Sequence, residues 1–324
     1  MSRSEGIPLV SVIMPYYDHE LYLVEAVNSV AALEYPNVEL IVVDDCSRGM
    51  SAERLLKDHS FNNLRIVKHE QNRGHVAAKN TGIKHSHGQF IVPLDSDDLL
   101  EPDYLIHALA AAEPKDVGIV LTEVCVFGDQ NYIYTPASTK LDFTKLRTPS
   151  NTFLAKREVF QSVGYYDESL KYGDESDFLL SALEAGWGIA SVPLPLYKYR
   201  IHDRGLSATV SYVTILRSML KKHRQTFLEY IEETLLYREE RYWNEIENLQ
   251  SADPDIIIGD SVEVAKRQYQ HLHCEFHKLL REYESLTKRF DETRKERDRL
   301  AASRYYTLRH KLNTVLKSLT KYCQ

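Results

Sequence analysis

Residues 88–104 read Gly-Gln-Phe-Ile-Val-Pro-Leu-Asp-Ser-Asp-Asp-Leu-Leu-Glu-Pro-Asp-Tyr. The apolar residues 90–94 predict a buried strand, and three carboxylates, Asp95, Asp97 and Asp98, follow at its end. Open α/β sheets bind their ligands at the carboxyl ends of their strands. Three negative charges this close together favour a cation between them, and carboxylate oxygens suit Mg²⁺ or Mn²⁺. The alternative is a solvated acidic turn, in which Asp and Ser are common.

The chain before this stretch alternates apolar runs with segments of helical spacing. Strands are predicted at residues 9–15, 38–45 and 64–68, and helices at residues 21–33, 52–59 and 75–85. This alternation predicts a mostly parallel, doubly wound α/β sheet. With right-handed crossovers the strand ends face one side, so Pro15, Asp45, Asn72 and Asp95 are expected around one crevice.

The chain after this stretch is less regular. Strands are predicted at residues 117–127, 151–154, 189–192 and 196–201, and helices at residues 156–163 and from about 178 to 185. Gly186 is a typical helix stop signal. Together with the first half, these elements predict one α/β domain over residues 1–208.

Length and composition limit the class of protein. The 324 residues leave room for one large domain with an appendage, or for two domains. The net charge of −7 argues against a nucleic-acid partner. The four cysteines include no Cys-x-x-Cys pair, which favours free thiols in a reducing compartment. No apolar run reaches the roughly 20 residues that span a bilayer, and no signal peptide is recognised, so a cytoplasmic protein is expected.

The C-terminal part is predicted to be helical, with a connector at residues 209–260 and one long helix at residues 261–324. From Val262 to Thr293 apolar residues recur alternately three and four positions apart, the period of a left-handed coiled coil. The apolar stripe restarts after a stutter at Ala301. This pattern favours a homo-oligomer formed through the helix, and a long helix packed on its own domain is the alternative.

The end of this helix is basic. From Arg299 onward there are six Lys/Arg and no Asp/Glu. An amphipathic helix lying on an anionic membrane has this composition, which predicts a peripheral contact with the inner face of the cell membrane. A solvated basic face on the coiled coil is the alternative.

Several motifs, taken in order, resemble those of family-2 inverting glycosyltransferases with the GT-A fold. They are Val10-Ser-Val-Ile-Met-Pro-Tyr-Tyr17, Val42-Val-Asp-Asp-Cys-Ser47, Asn72-Arg-Gly74 with Lys79-Asn80-Thr-Gly82, Leu94-Asp-Ser-Asp-Asp98, Gly173-Asp-Glu-Ser-Asp177 and Tyr199-Arg-Ile-His202. Each motif is weak alone, but the ordered set is specific and covers residues 9–208. The resemblance implies a GT-A type, Rossmann-like mixed sheet that transfers a sugar from a nucleoside diphosphate.

The resemblance also implies a nucleotide site in the crevice. Asp45 would accept a hydrogen bond from N3–H of uracil or thymine, with Pro15 and Tyr17 beside the base. This favours UDP or dTDP over GDP. Asp44 would assist, or would cap a loop. The residues implied to border the nucleoside and the diphosphate are Asn72, Gly74, Lys79, Asp95, Ser96 and Arg200.

A divalent cation, Mn²⁺ or Mg²⁺, is implied at Asp97, with Asp98 and His202 as further ligands. The general base is expected at Glu175, with Asp174 as the alternative, because the family motif is written Glu-Asp where this chain has Asp-Glu. One acid of this group has an ordinary explanation as a helix cap or as a first-turn acid favoured by the helix dipole.

These features predict an inverting glycosyltransferase that acts on a glycan or lipid-linked acceptor in bacterial surface polysaccharide or glycoconjugate synthesis. The alternative is a non-catalytic nucleotide-sugar-binding or scaffold protein that assembles partners through its coiled coil. A dinucleotide-binding Rossmann protein would need a glycine-rich fingerprint after the first strand, where this chain has Pro15-Tyr-Tyr-Asp18.

Overall fold

A computed structural model describes residues 6–234, apart from residues 60, 62, 146, 171, 203–211, 231 and 232, together with residues 237, 281, 285, 292 and 295. Contacts along the chain group residues 1–234 into one compact unit and residues 235–324 into a second. Apart from residues 281, 285, 292 and 295, the predicted coiled coil and basic tail lie outside the described residues, so the oligomer, the membrane contact and the three-part domain division stay predictions. None of the described helices is long and apolar enough to cross a membrane.

The described part of the first unit contains one mixed sheet with helices around it. Its strands are β1 (Val10–Tyr16), β2 (Val38–Asp44), β3 (Leu64–Lys68), β4 (Phe90–Pro93), β5 (Leu99–Leu100), β6 (Val117–Gly128), β7 (Tyr132–Tyr134), β8 (Leu154–Lys156) and β9 (Gly188–Ile201). Its helices are α1 (Leu23–Ala31), α2 (Ala52–Leu55), α3 (His75–His85), α4 (Tyr104–Ala111), α5 (Lys140–Thr144), α6 (Arg157–Val163), α7 (Asp174–Glu184), α8 (Tyr212–Lys222) and α9 (Arg224–Glu229).

The strand order is β3-β2-β1-β4-β8-β6-β9-β5, with β7 paired to β6. The first four strands are parallel, whereas β8 runs antiparallel to both of its neighbours, β4 and β6. The predicted mixed α/β sheet is therefore confirmed. Its four consecutive parallel strands are those whose alternation with helices was clearest in the sequence, and β6 and β9 also pair in parallel.

Strands β1 and β2 are buried on both faces, as expected when helices cover both sides of a parallel sheet. Successive side chains of a strand point to opposite faces. Val12 and Met14 accordingly join one core with residues of α1 and α4. Ile13 faces the other side, where a Cβ atom added to Gly82 of α3 would lie 2.4 Å from its Cγ2. Only glycine therefore lets α3 pack this closely on β1.

Two local predictions differ from the structure. In the sequence, Glu101-Pro102 predicts the start of a helix, since proline suits the first helical turn. The helix begins at Tyr104, because the preceding Leu99–Leu100 segment pairs with β9 instead. The two strands predicted between residues 189 and 201 form one strand, whose pairing with β6 shifts register between Val192 and Tyr197. The two prolines of β9 lie inside this bulge, where a missing N–H group costs no ladder hydrogen bond.

The fold brings three strand ends and two helix starts to one edge of the sheet. Strands β1, β2 and β4 end at Tyr16, Asp44 and Pro93. The first turn of α3 and the first turn of α7 meet there, because Nε2 of His75 lies 3.3 Å from Oδ1 of Asp174. The crevice predicted from the sequence is this edge.

Candidate active site

A cavity of about 930 Å³ opens at this edge of the sheet. The predicted residues in its wall are Pro15, Tyr17, Asp45, Asn72, Gly74, Lys79, Asp95, Ser96, Asp97, Asp174, Glu175 and Arg200. Three other predicted residues, Asp44, Asp98 and His202, are not part of this wall. The structure thus collects most of the predicted site in one place, from elements far apart in the sequence.

Asp45 anchors the loop that precedes α3. One of its carboxylate oxygens accepts from the backbone N–H of Arg73 at 2.8 Å and lies 2.6 Å from Nδ1 of His69. The other accepts from the N–H of Gly74 at 2.7 Å. Gly74 has φ +89°, a backbone conformation that favours glycine. A carboxylate has about four acceptor positions, so Asp45 can hold this loop and still accept a hydrogen bond from a ligand.

Asp44 turns away from the cavity. Its two oxygens accept from the backbone N–H groups of Ser47 at 2.8 Å and Ala52 at 3.0 Å. The structure therefore gives Asp44 the loop-capping role that the sequence left open, and its predicted assistance to the nucleotide has no geometric support.

Asp98 is also turned into the protein. It accepts from the hydroxyl of Tyr197 and, at 2.8 Å, from the backbone N–H of Arg200. Burial, together with the charges of Asp97 and Asp95, raises the pKa of the Asp98 carboxyl well above its usual range. Both oxygens thus attach β9 to the acidic turn, and the geometry does not support the predicted role of Asp98 as a metal ligand.

Asp97 faces two imidazoles. Its Oδ2 lies 2.9 Å from Nε2 of His202 and 3.9 Å from Nδ1 of His19, and His19 Nδ1 is also 3.3 Å from Oγ of Ser96. Among the described residues no group of three or more His, Cys, Asp or Glu side chains is arranged as a complete metal site. Asp97 and His202 thus offer a pair of candidate donors, a carboxylate oxygen and an imidazole nitrogen, in direct contact with each other. A cation held by this pair would need its remaining ligands from substrate and water.

Lys79 lies at the centre of the other acidic group. Its ammonium contacts Glu175, lies 3.3 Å from Asp174 Oδ2 and 3.8 Å from Asp95 Oδ1, and its side chain is 1% exposed. Burial lowers the pKa of Lys79, but the charges of Asp174, Asp95 and Glu175 outweigh this effect and raise the pKa well above its usual range. Three carboxylates already enclose this ammonium group, so its contacts hold the elements of the site together. It is poorly placed to bind the diphosphate, which is the role that the family resemblance implied.

Asp174 and Glu175 begin α7 but have different surroundings. Asp174 is held on both oxygens, at 3.3 Å from Nε2 of His75 and at 3.3 Å from Lys79. Burial raises the pKa of Asp174, but Lys79 and the hydrogen bond from His75 outweigh it and lower the pKa below its usual range. Asp174 is therefore a carboxylate that favours the charged form and has a basic side chain against each oxygen.

Glu175 keeps one oxygen for a ligand. Its Oε1 contacts Lys79, while Oε2 has no hydrogen-bond partner within the described part of the chain. Burial and the charge of Asp174 raise the pKa of Glu175 to about 7, although Lys79 opposes them. Of the two candidate bases, Glu175 has the accessible oxygen and a pKa close to neutrality, as a general base requires.

Arg200 lies in the cavity wall as predicted, but other groups of the protein already engage its guanidinium. Its guanidinium lies 4.8 Å from the ring centroid of Tyr22 and 4.3 Å from that of Phe127. It also donates to Glu25 at 2.6 Å and to the backbone carbonyl of Asp97 at 2.8 Å. These contacts join α1, β9 and the acidic turn, so Arg200 is held mainly as a structural link.

Two histidines of the cavity wall were missed in the sequence. His19 follows β1, and His75 is the first residue of α3. Burial lowers the pKa of His75, but the hydrogen bond to Asp174 outweighs it and the pKa is raised. Both residues follow segments already assigned to the crevice, and this position is the one signal that could have identified them.

Much of the remaining wall is aromatic or apolar. These residues are Tyr134, Phe143, Tyr172, Tyr199, Ile215 and Met219, while Asp18 and Arg147 are further charged residues. The cavity therefore has a polar part, which includes Asp45 and Asp97, and an apolar part made of these six side chains.

Comparisons with known proteins match the sequence to a family model and the fold to solved structures. Residues 11–178 match the family model described as Glycosyl transferase family 2. The succinoglycan biosynthesis protein ExoO of Rhizobium meliloti is 28% identical over 225 residues, which cover 63% of this chain and 64% of that protein.

Two solved structures have a similar fold. The S. aureus TarS 1-349 crystal structure matches with a TM-score of 0.53 and 25% identity, over 59% of this chain and 60% of that one. The match thus spans less than two thirds of TarS 1-349, which has also been crystallised with UDP and with UDP-GlcNAc. The mannosyltransferase PcManGT from Pyrobaculum calidifontis, in complex with GDP-Man and Mn²⁺, matches with a TM-score of 0.54 over 85% of this chain and 83% of that one. At 19% identity this second likeness is one of fold alone.

The Lys79→Met substitution tests the charge balance of the site. Removing one partner of a buried ion pair leaves uncompensated carboxylates and typically costs about 3–5 kcal/mol. We expect a loss of that size in the free energy of unfolding, measured by urea denaturation at pH 7. Lys84→Met, on the exposed side of the same helix, is the control and should change stability little. Equal stability of the two variants would contradict the central role of Lys79.

Proposed function

The chain belongs to glycosyl transferase family 2, and we propose that it transfers a sugar from a UDP- or dTDP-linked donor to a hydroxyl group, with inversion at the anomeric carbon. The main support is the position of Glu175. It is a buried carboxylate with a pKa of about 7 and one oxygen toward a cavity that also holds Asp45 and Asp97. A proton acceptor, a base-recognising carboxylate and a cluster of metal donors are the groups that such a transfer needs.

The polar part of the cavity suits the donor nucleotide. The remaining acceptor capacity of Asp45 matches the N3–H of a pyrimidine, and Pro15 and Tyr17 offer flat or apolar surfaces beside the ring. Guanine would present two donors, N1–H and its 2-amino group, to the one acceptor position that Asp45 keeps, so UDP or dTDP is favoured over GDP. TarS 1-349 has complexes with UDP and UDP-GlcNAc and PcManGT has one with GDP-Man, so these likenesses support a nucleotide-sugar donor, and the choice of base rests on Asp45.

Asp97 and His202 would hold a divalent cation, with His19 near the same point. The mixed carboxylate and imidazole donors favour Mn²⁺ over Mg²⁺, which prefers oxygen. When bound, such an ion supplies positive charge for the departing nucleoside diphosphate.

Glu175 would act as general base. As the acceptor oxygen forms its bond to the anomeric carbon, the bond from that carbon to the diphosphate oxygen breaks, and its electron pair leaves with the nucleotide. Glu175 takes the proton that the acceptor hydroxyl loses, a contribution of roughly 10²–10⁴-fold. Asp174, His75 and Lys79 keep this carboxylate in place and remain in their own charge states.

The apolar part of the cavity would receive the acceptor. Tyr134, Tyr172 and Tyr199 offer aromatic faces with polar tips, which suit the two-sided character of a sugar ring. We infer a glycan or lipid-linked acceptor in surface polysaccharide or glycoconjugate synthesis. The likeness to a succinoglycan biosynthesis protein supports this role. We also propose that the protein acts at the inner face of the membrane and that it forms an oligomer through residues 261–324.

Binding of nucleotide and metal can be tested by thermal melting. We expect UDP with Mn²⁺ to raise the melting temperature by several degrees, because a ligand that binds only the folded state stabilises it. Asp97→Asn should lose the part of the increase that depends on Mn²⁺ and should keep the part due to UDP alone. A protein that acts only as a scaffold, with no nucleotide site, would show no increase in either form.

Glu175→Gln tests the base. A screen of nucleotide sugars, with and without Mn²⁺, first identifies the donor from release of the nucleotide. Glu175→Gln should then lower kcat by roughly 10²–10⁴-fold, because the amide cannot accept the proton, while the Kd for UDP stays near the parent value. The matched substitution Asp174→Asn should weaken stability as well as turnover. Full activity in Glu175→Gln would assign the base to Asp174.

The pH dependence of kcat/KM reports the ionisation of the base in the free enzyme. Glu175 must be charged to accept a proton, and its pKa is raised to about 7. We therefore expect kcat/KM to rise about tenfold per unit at acidic pH and to level off above about pH 7. The residual activity of Glu175→Gln should lack this rise. A midpoint near the usual Glu value of about 4.3 would contradict the burial of the base.

A further inference from the structure

Asp177 is the acid of the Asp174-Glu-Ser-Asp177 motif that does not face the cavity. It is 4% exposed and lies in the first turn of α7 with the other two. Its Oδ2 accepts from Nζ of Lys222 at 2.7 Å, and its Oδ1 lies 3.0 Å from Nε2 of His223. Asp177 therefore joins α7 to the junction of α8 and α9.

His223 connects the two ends of α7. Its Nδ1 lies 2.9 Å from Oε2 of Glu184, the last residue of that helix, and the ring is 3% exposed. Because carboxylates only accept, a ring protonated on both nitrogens satisfies both contacts. Burial lowers the pKa of His223, but the hydrogen bonds to Asp177 and Glu184 outweigh it and the pKa is raised. Asp177, Glu184, Lys222 and His223 are called the α7 clamp below.

The same helix pair reaches the cavity. Ile215 and Met219 of α8 are part of its wall. Gly173, directly before Asp174, has φ +79°, and a Cβ atom added there would lie 3.0 Å from Cγ2 of Ile215. Helix α8 is thus packed on the turn that presents Asp174 and Glu175.

The start of α7 needs such support. Its N-cap residue is Gly173, and no side chain caps the helix. The acids of its first turn are instead held from two sides, by Lys79 of α3 and by Lys222 and His223. Loss of either side would let the first turn shift, and Glu175 would shift with it.

We propose that the α7 clamp sets the position of Glu175, and that His223 is a positioning residue for the transfer reaction although it lies outside the cavity. The inference rests on the proposed function, in which Glu175 is the base. It goes further by assigning α8 and α9 to the active site. A misplacement of about 1 Å can cost about a hundredfold in rate, so a small shift of α7 has a measurable effect on kcat.

The test compares His223→Gln with Lys221→Gln. Lys221 is the exposed neighbour of the clamp on α8 and is the matched control. We expect His223→Gln to lower kcat about ten- to a hundredfold with a less than threefold change in the Kd for UDP, while circular dichroism shows the fold retained. Lys221→Gln should match the parent. This separation of kcat from nucleotide affinity would not arise from a general loss of folded protein.

Two results would overturn the inference. One is a folded His223→Gln variant whose kcat stays within twofold of the parent. The other is an equal loss in kcat and in affinity for UDP, which would make the clamp a support of the whole domain. If His223→Gln does not fold, Lys222→Gln replaces it, because the Lys222 side chain is 41% exposed. It is judged by the same two measurements.

Hydrogen–deuterium exchange separates this inference from the proposed function. If the parent protein turns over no nucleotide sugar, the proposed function fails, whatever the clamp does. Faster exchange of the amides of residues 174–178 in the clamp variant than in Lys221→Gln then still supports the positioning role. Unchanged exchange in these amides overturns it.

Discussion

Lys79 is buried among carboxylates that come from two distant parts of the chain. Asp95 follows β4, whereas Asp174 and Glu175 begin α7, and all three lie within 3.8 Å of one ammonium group. Uncompensated charges are costly in a protein interior. The ammonium and the acids therefore require each other, and this requirement brings α3, the acidic turn and α7 to the same edge of the sheet. Lys79, Asp95, Asp174 and Glu175 all line the cavity at that edge.

Acidic residues at this edge occur in neighbouring groups, and the members of each group have different tasks. Asp45 and Asp97 face the cavity, while Asp44 caps a loop and Asp98 holds β9. In α7, Glu175 faces the cavity and Asp177 faces the clamp. Asp45, Asp97 and Asp98 lie in the loops beyond β2 and β4, where neighbouring side chains point in different directions, as do side chains two positions apart on α7. Each group thus supplies one acid to the cavity and another to the contacts that hold the surrounding elements in place.

The sequence predicts the parts of this structure that depend on local pattern. Alternating strands and helices identify the parallel half of the sheet, and the strand ends at Asp45 and Asp95 locate the crevice. It does not predict which long-range partner each side chain meets. Arg200 and Lys79 look like phosphate ligands in the sequence, but Glu25 and Tyr22 engage the first and three carboxylates enclose the second. The roles of His19, His75 and His223 depend on contacts with residues far away in the sequence, and no local pattern reveals these contacts.

The balance around Lys79 also explains why Glu175 suits proton transfer. With Glu175 ionised and His75 protonated, the group of Asp95, Asp174, Glu175, Lys79 and His75 carries one net negative charge. When Glu175 accepts a proton, the group becomes neutral in a place where charge is poorly solvated, and this favours acceptance. Lys79 limits the effect, because its charge stabilises the carboxylate and keeps the pKa from rising further. Without Lys79, burial would raise the pKa of Glu175 further, and the carboxyl would stay protonated at neutral pH. A glutamate in water has a low pKa, and its carboxylate has too little affinity for a proton. The enclosed cation therefore sets the basicity of Glu175 between these limits, even though it need not touch the substrate.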